Sequence, residues 1–243
     1  MLNYSTVEPD TLELLKRLSS EPALNDYLLV GGTALSLQTG HRKSVDLDFF
    51  CYGEFNAMAI SQLIAAKYGY KEVRFSDTMS IGYIQDIKVD FVKARNQLTA
   101  NIVNEDGIRL ADKQDIAAMK LWAIAKDGTR MKDFIDIACL STSMSLNAML
   151  DAYCKAYNTD SAMFATKKLL YFKSIDNFES INMIQGEFEW DLIQQRLKDM
   201  VTNPDIIFPE LPLSFKRKER KSKARKLFLK WKKAIKATGI KKK

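Results

Sequence analysis

The chain has 243 residues, 47% of them hydrophobic, which is enough for one large domain or two small ones. No apolar run approaches the roughly 20 residues that a membrane span needs. A single histidine, His41, argues against a histidine-built zinc site or a Ser-His-Asp triad. Three scattered cysteines without metal-ligand spacing predict reduced thiols in a cytoplasm.

The net charge of +7 is unevenly distributed along the chain. Residues 216–243 contain fifteen Lys or Arg and one acid, Glu219, whereas the rest holds 22 basic and 29 acidic residues. This pattern predicts a mildly acidic globular body with a strongly basic tail. Such a tail is typical of a segment that binds a polyanion such as RNA. A solubilising tail and a membrane-surface helix remain alternatives.

Hydrophobic periodicity predicts an α+β fold with a small mixed sheet, followed by a helical half. The first part is expected to contain, in chain order, a helix at 8–19, a strand at 27–30, a helix at 33–39 closed by Gly40, a strand at 45–51, a helix at 54–68, and strands at 70–76, 79–84 and 87–92. The second part is expected to contain a short strand at 108–110 and helices at 112–126, 131–140, 144–157, 160–173 and 189–202. We therefore divide the chain into a core at 1–110, a helical domain at 111–205 and a basic tail at 206–243, of which 216–243 fits a basic helix.

A glycine pair, Gly31-Gly32, lies between the first predicted strand and the helix that follows it. Without a Cβ, the backbone of such a turn can approach a phosphate closely, and the amides at the helix start would point at it. Thr33 is placed to cap that helix or to donate to a phosphate. An ordinary strand-to-helix turn without a ligand explains the pair equally well.

Two carboxylates, Asp46 and Asp48, stand two residues apart within an apolar run. Residues two apart on a strand share a face, so both carboxylates and Ser44 would project together. The other face would carry the apolar residues Val45, Leu47 and Phe49. Like charges side by side resist burial, and a hard divalent cation that also binds phosphates would resolve the conflict. The alternative is an exposed edge strand with solvated acids.

Asp90 is a third carboxylate within an apolar run. It would be a site residue or a structural acid paired with Lys93 or Arg95. Asp86 is the weaker candidate, since it is expected in a turn.

Lys120 lies within an apolar helical stretch, where its ammonium needs water or an anion; a snorkelling surface lysine is the alternative. Asp133 and Asp136 share a face of the next helix, where favourable contact with the helix dipole also explains them. The run His41-Arg42-Lys43 is interpreted as a solvated loop in preference to a phosphate or RNA contact.

Two motifs in this order, Gly31-Gly32-Thr33-Ala34-Leu35 and Ser44-x-Asp46-x-Asp48, are similar to those of the polymerase-β-like nucleotidyltransferase superfamily. The later segments from Asp115 to Lys120 and from Arg130 to Leu140 restrict the resemblance to one family of this superfamily. Over residues 27–140 the chain resembles the AbiEii family of nucleotidyltransferase toxins, the toxin half of type IV toxin–antitoxin systems.

This resemblance implies transfer of a nucleoside monophosphate from an NTP to a hydroxyl, with Mg²⁺ (or Mn²⁺) and release of pyrophosphate. It assigns the metal to Asp46, Asp48 and Asp90, and catalysis to these three with Lys120 and Asp133. In it, Asp90 acts as base toward the attacking hydroxyl or completes the metal site. The nucleotide-binding set that it implies is Gly31, Gly32, Thr33, Ser44, Lys120, Lys132 and Asp136.

The acceptor implied by the resemblance is an RNA, such as the 3′ end of tRNA, or a protein side chain, and a cognate antitoxin is implied as partner. A small-molecule nucleotidyltransferase that modifies aminoglycosides is an alternative, which an acidic acceptor cleft would favour and a basic one would not. A nucleotide-binding regulator without turnover is the other alternative.

Overall fold

The computed structural model describes residues 1–175 and 180–214, and within them the chain forms eight α-helices and seven strands. They are α1 (Pro9–Ser19), β1 (Tyr27–Val30), α2 (Gly31–Thr39), β2 (Leu47–Cys51), α3 (Ala57–Tyr68), β3 (Lys71–Ser76), β4 (Met79–Ile84), β5 (Ile87–Lys93), β6 (Val103–Glu105), β7 (Ile108–Leu110), α4 (Lys113–Lys126), α5 (Met131–Leu140), α6 (Leu146–Tyr157), α7 (Ala162–Leu169) and α8 (Trp190–Thr202).

All seven strands belong to one mixed sheet, in the order β3-β4-β5-β2-β1-β7-β6. Strand β2 lies near the centre, antiparallel to β1 and parallel to β5. In this register Asp48 stands opposite Val30 on one side and Asp90 on the other. The sheet therefore brings two carboxylates that are far apart in sequence onto adjacent strands.

The expected mixed sheet and helical second half are confirmed, with differences at element ends. Strand β6 is not among the expected elements; two of its three residues, Asn104 and Glu105, are polar, and it forms a hairpin with β7. Strand β2 begins at Leu47, and Val45 is 53% exposed, so the expectation that Val45 packs inward is wrong. Helix α2 begins at Gly31, so the glycine pair forms its first turn.

Helix α4 occupies the centre of the second half and packs against α2, α5, α6 and α7. Asp112 caps its N-terminus, since the carboxylate accepts a hydrogen bond of 2.8 Å from the Gln114 amide. Apolar residues surround it on several faces, as expected for a buried helix. It therefore positions Lys120 inside the molecule.

The division into domains at 110 and 205 stays a prediction. The basic helix expected at 216–243 lies outside the described residues. Among the described helices, none is long and apolar enough to cross a membrane.

Candidate active site

Asp48 and Asp90 form the centre of the candidate site, side by side on β2 and β5. Asp90 is 8% exposed. Its Oδ2 accepts a hydrogen bond of 2.5 Å from Nζ of Lys88, so the expected pairing with Lys93 or Arg95 is replaced by one with Lys88. Its Oδ1 is buried and has no hydrogen-bond partner among the described residues.

The three aspartates that the sequence singled out interact electrostatically. Burial and the neighbouring Asp90 carboxylate raise the pKa of Asp48 to about 6. Burial also raises the pKa of Asp90, although Lys88 opposes the shift. The charge of Asp46 raises both pKa values. Lys88 offsets only part of this effect, so the structure concentrates negative charge where a further cation would be favourable.

This carboxylate set fits a magnesium ion in one specific way. In the described parts of the chain, no three His, Cys, Asp or Glu side chains are arranged to enclose a metal by themselves. Mg²⁺, however, is commonly held by one or two carboxylates together with substrate phosphates and water. The unpaired Oδ1 of Asp90 and the raised pKa of Asp48 suit that mode of binding.

Gly31 makes the close approach of Asp48 to helix α2 feasible. Its φ is +70°, and a Cβ at this position would collide with the Asp48 carboxylate. A Cβ at Gly32 would lie 2.5 Å from Nη2 of Arg42 and 3.1 Å from Oγ of Ser44. Both glycines are thus required by side chains of the site.

Replacing Gly31 by Ala is expected to destabilise the protein more than replacing Gly69 by Ala. Gly69 has nearly the same φ, +71°, but nothing lies within 4 Å of the position that a Cβ would take. The Gly69→Ala variant therefore measures the cost of the backbone conformation alone, about 1 kcal/mol. At Gly31 the displaced Asp48 adds to that strain, and transfer activity should fall. Urea denaturation of both variants measures the difference; equal losses of stability would contradict the collision.

Thr33 and Ser44 tie the loop before β2 to helix α2. The Thr33 hydroxyl is fully buried, 2.9 Å from Oγ of Ser44, and it donates to the backbone carbonyl of Asp46. The expected capping by Thr33 is wrong, because Val30 occupies the N-cap and no side chain caps α2. Thr33 instead fixes the backbone that carries Asp46.

Lys120 is 7% exposed and its ammonium is held by two carboxylates of α5. Its Nζ lies 2.6 Å from Oδ1 of Asp133 and 3.0 Å from Oδ2 of Asp136. Burial alone would lower the pKa of Lys120, but these two carboxylates raise it above its ordinary value. Lys120 is therefore a fixed cation and does not behave as a snorkelling surface lysine.

Asp136 is the hub of a buried charge network that sequence reasoning missed. Asp136 is fully buried and accepts two hydrogen bonds from Arg42, of 2.8 and 2.9 Å. Nε2 of His41 also lies 2.9 Å from its Oδ1. Burial would raise its pKa, but Arg42 and Lys120 hold it well below the ordinary value. The interpretation of His41 and Arg42 as a solvated loop is wrong: they are 1% and 3% exposed.

His41 is expected to make stability depend on pH. Burial, together with Arg42 and Lys120, lowers its pKa despite the contact with Asp136. The pKa of His41 is therefore lower in the folded protein than in the unfolded chain, and as the pH falls the unfolded chain takes up the proton first. The contribution of neutral His41 to folding stability is complete above about pH 6.5 and is lost as the pH falls below that value. Between pH 7.5 and 5, the free energy of unfolding of the wild type should fall by up to about 2 kcal/mol more than that of His41→Gln. Chemical denaturation across this range tests it, and parallel curves for the two proteins would exclude it.

Two clefts meet at Asp48. The cationic cleft, of about 180 Å³, is lined by two acids, Asp46 and Asp48, and by five basic residues: Arg42, Lys43, Lys120, Arg130 and Lys132. The aromatic cleft, of about 380 Å³, is lined by Phe50, Met79, Met119, Trp122 and Tyr157 among others. The clefts share Gly32, Asp48, Lys120 and Arg130.

A strap from the C-terminal part closes one side of the cationic cleft, which Ser180, Ile181 and Asn182 line. The Lys43 amide donates to the Asn182 carbonyl at 2.8 Å, and the Ile184 amide donates to the His41 carbonyl at 3.0 Å. No sequence motif indicated the strap, since its contacts are made by backbone atoms. Lys88 could have been found, because it stands two residues from Asp90 and therefore on its face.

The chain is similar to known proteins over most of its length. The family model "Nucleotidyl transferase AbiEii toxin, Type IV TA system" matches residues 13–206. "Uncharacterized protein aq_aa25" of Aquifex aeolicus is 32% identical over 199 residues, which cover 79% of this chain and 96% of that protein.

Two solved structures show a more distant likeness. JHP933 from Helicobacter pylori is 16% identical, with 92% of this chain and 99% of that one covered and a TM-score of 0.47. A CCA-adding enzyme in complex with CTP is 15% identical, with 70% and 52% covered and a TM-score of 0.34.

Both TM-scores are below 0.5, so these structures carry no argument about the family. The matching family model defines a nucleotidyltransferase. The chain belongs to the AbiEii nucleotidyltransferase family.

Proposed function

We propose that this enzyme transfers a nucleoside monophosphate from an NTP to a hydroxyl acceptor and releases pyrophosphate, with Mg²⁺ or Mn²⁺ as cofactor. The observation that carries the proposal is the pair Asp48 and Asp90 on adjacent strands, with the Asp48 carboxylate directly over Gly31. Lys88 binds only Oδ2 of Asp90 and both carboxylates keep raised pKa values, so a further shared cation would be favourable, and the start of helix α2 favours an anion. A metal ion that carries a phosphate satisfies both requirements.

The cationic cleft suits the triphosphate. Five basic residues and two acids line it, with Arg42 and Lys120 already paired with carboxylates of α5, and it opens beside Gly32 in the first turn of α2, where a helix start favours an anion. Lys120 lies at the border of both clefts, held by Asp133 and Asp136, and would contact the triphosphate there. Lys132 and Ser44 line the same cleft and are proposed as further phosphate contacts.

Asp46, Asp48 and Asp90 are proposed to hold the divalent cation together with phosphate oxygens of the NTP, since the three side chains do not enclose a metal by themselves. The cation would neutralise charge on the phosphates and align the attacking and leaving oxygens. Asp90 is also proposed to accept the proton of the acceptor hydroxyl. Burial raises the pKa of Asp90, a shift in the direction that strengthens a carboxylate as a base. Lys88 holds Oδ2, and the buried Oδ1 has no hydrogen-bond partner among the described residues, so it is the oxygen that is proposed to accept the proton.

Family membership supports a role as the toxin of a toxin–antitoxin pair in the cytoplasm, with a cognate antitoxin as partner. The acceptor is proposed to be a macromolecule, an RNA such as tRNA or a protein. The basic tail at 216–243 would add salt-dependent contacts to an RNA backbone, a proposal that rests on its charge.

Incubation of the full chain with total tRNA, Mg²⁺ and each α-labelled NTP in turn tests the reaction. We expect label on RNA and pyrophosphate release with the wild type, and neither with Asp46→Ala/Asp48→Ala. Asp86→Asn, a change in the exposed turn between β4 and β5, is the matched control and should retain activity. NTP binding without pyrophosphate release, on any acceptor, would contradict catalysis and support the non-catalytic regulator.

A further inference from the structure

Lys88 is a cation that already lies at the carboxylates of the candidate site. Its Nζ is 2.5 Å from Oδ2 of Asp90, and the two side chains share a face of β5 because they are two residues apart. Asp48 pairs with Asp90 in the parallel register of β2 and β5. Continued to just before β2, the same register places Lys88 beside Asp46. Lys88 is thus close to all three aspartates that are proposed to hold a metal.

The charges of these three aspartates act on the Lys88 ammonium. Burial lowers the pKa of Lys88, but the hydrogen bond to Asp90 and the charges of the three carboxylates raise it above its ordinary value. In return, Lys88 offsets part of the rise that burial causes in the pKa values of Asp48 and Asp90. Lys88 therefore supplies part of the positive charge that this group of carboxylates needs.

The oxygens of Asp90 cannot serve Lys88 and a divalent cation at the same time without a cost. Oδ1 is the oxygen that is proposed to accept the hydroxyl proton, so a cation bound by Asp90 would take Oδ2. Lys88 occupies that oxygen at 2.5 Å. Two cations on one oxygen would lie within a few ångström of each other and repel strongly. Binding of the metal by Asp90 is therefore favoured when Lys88 leaves.

The side chain of Lys88 is able to leave. It is 34% exposed, and a lysine ammonium is a strongly hydrated charge on a flexible four-carbon stem. Lys120 differs in both respects, because its side chain is only 8% exposed and its Nζ is bound by Asp133 and Asp136. The site thus combines one fixed cation, Lys120, with one that can move into solvent, Lys88.

We propose that Lys88 is a built-in counter-ion of the three aspartates, and that a divalent cation displaces it from Asp90 on binding. This rests on the proposed function, which assigns the metal to those aspartates. Lys88 would compete with a metal ion that binds alone. A metal ion that arrives with a triphosphate also gains the basic residues of the cationic cleft, so it overcomes the competition more easily. Lys88 would thereby couple binding of the metal to binding of the nucleotide.

Titration calorimetry with Mn²⁺ alone, without NTP, tests the competition independently of transfer. Lys88→Met removes the charge and keeps an unbranched side chain, and it should bind Mn²⁺ about tenfold more tightly than the wild type. Lys71→Met is the matched control. Lys71 is aligned with Lys88 through Tyr83 and lies two strands away in the same sheet, about 10 Å from it. It should leave the affinity for Mn²⁺ nearly unchanged.

Acetylation of the wild type detects the displacement itself and needs no variant. An amine-reactive acetylating reagent, followed by mass spectrometry of the peptides, measures how fast each lysine reacts. Lys88 should react several-fold faster in saturating Mn²⁺ than in EDTA, because its ammonium is released into solvent. Lys71, which is exposed, should react equally fast in both conditions.

The outcomes separate this proposal from the metal assignment. Equal affinity for Mn²⁺ in the wild type and Lys88→Met, with binding lost in Asp48→Asn, would overturn the counter-ion and leave the metal site intact. An equal gain in Lys88→Met and Lys71→Met would also overturn it, since it would reveal a general effect of net charge. Reactivity of Lys88 that Mn²⁺ does not change would exclude displacement. Failure of both the wild type and Lys88→Met to bind Mn²⁺ would contradict the metal assignment as well.

Discussion

Asp48→Asn is expected to abolish nucleotidyl transfer and, at the same time, to stabilise the metal-free protein. Activity should fall about 10³-fold or more, because the metal site supplies several kcal/mol of transition-state stabilisation. Stability should rise because burial and Asp90 raise the pKa of Asp48 to about 6, so its charged form is unfavourable near neutral pH. Each pKa unit corresponds to 1.36 kcal/mol, and after allowance for the polar amide we expect a gain of about 1–2 kcal/mol.

Thermal unfolding in EDTA and in excess Mg²⁺ measures this effect. In EDTA the variant should melt above the wild type; Mg²⁺ should raise the melting temperature of the wild type far more than that of the variant, since a ligand of the folded state stabilises it. A raised folded pKa also means that the wild type gains stability as the pH falls, so the gap should narrow from pH 7 to pH 4.

Asp10→Asn is the control for removing a carboxylate, because Asp10 is exposed in the first turn of α1. It should leave activity and the response to Mg²⁺ unchanged. An Asp48→Asn protein that is less stable than the wild type in EDTA would show that Asp48 is a structural acid, contrary to the metal assignment.

Local pattern was sufficient to predict the acidic pair and the third carboxylate as candidates. An acid inside an apolar run is costly to bury, and Asp48 and Asp90 can each be recognised as such from their own sequence neighbours. Their mutual position was not visible, because it depends on the parallel pairing of β2 and β5. The exact start of β2 also depends on a distant contact, the bond from Thr33 to the Asp46 carbonyl.

The charge network escaped prediction for a different physical reason. A basic run such as His41-Arg42-Lys43 is usually solvated, and only tertiary structure supplies the buried partner, Asp136, 94 residues from Arg42. Lys43, the third member of the run, does follow the usual rule, with an exposed pairing to Glu8. Burial of a charge thus depends on its partner, which sequence spacing does not reveal.

Asp136→Asn is expected to be the most destabilising single change in the site. The carboxylate accepts from Arg42 and His41 and lies 3.0 Å from Nζ of Lys120, all within a fully buried region. Removing its charge leaves two buried cations with Asp133 as the remaining carboxylate of the network. Breaking a buried ion pair from one side typically costs about 3–5 kcal/mol, a large part of the stability of an ordinary domain.

Glu8→Gln provides the matched control, because the Glu8–Lys43 pair has a similar separation, 2.8 Å, but side chains that are 58% and 36% exposed. It should cost less than about 1 kcal/mol. Urea denaturation at pH 7.5 compares the two variants, and similar small losses would show that the network does not stabilise the fold.

The double variant Arg42→Met/Asp136→Leu separates the penalty of an unpaired charge from the value of the pair. It removes both partners of the bidentate contact, so it should be more stable than Asp136→Asn alone. Transfer activity is expected to stay low in the double variant, since Lys120 would have lost one of its two carboxylates and the cationic cleft one of its basic residues, Arg42. Recovered stability without recovered activity would mean that this buried network is maintained for the two cations that it holds at the clefts, Arg42 and Lys120, and not for the folding energy it contributes.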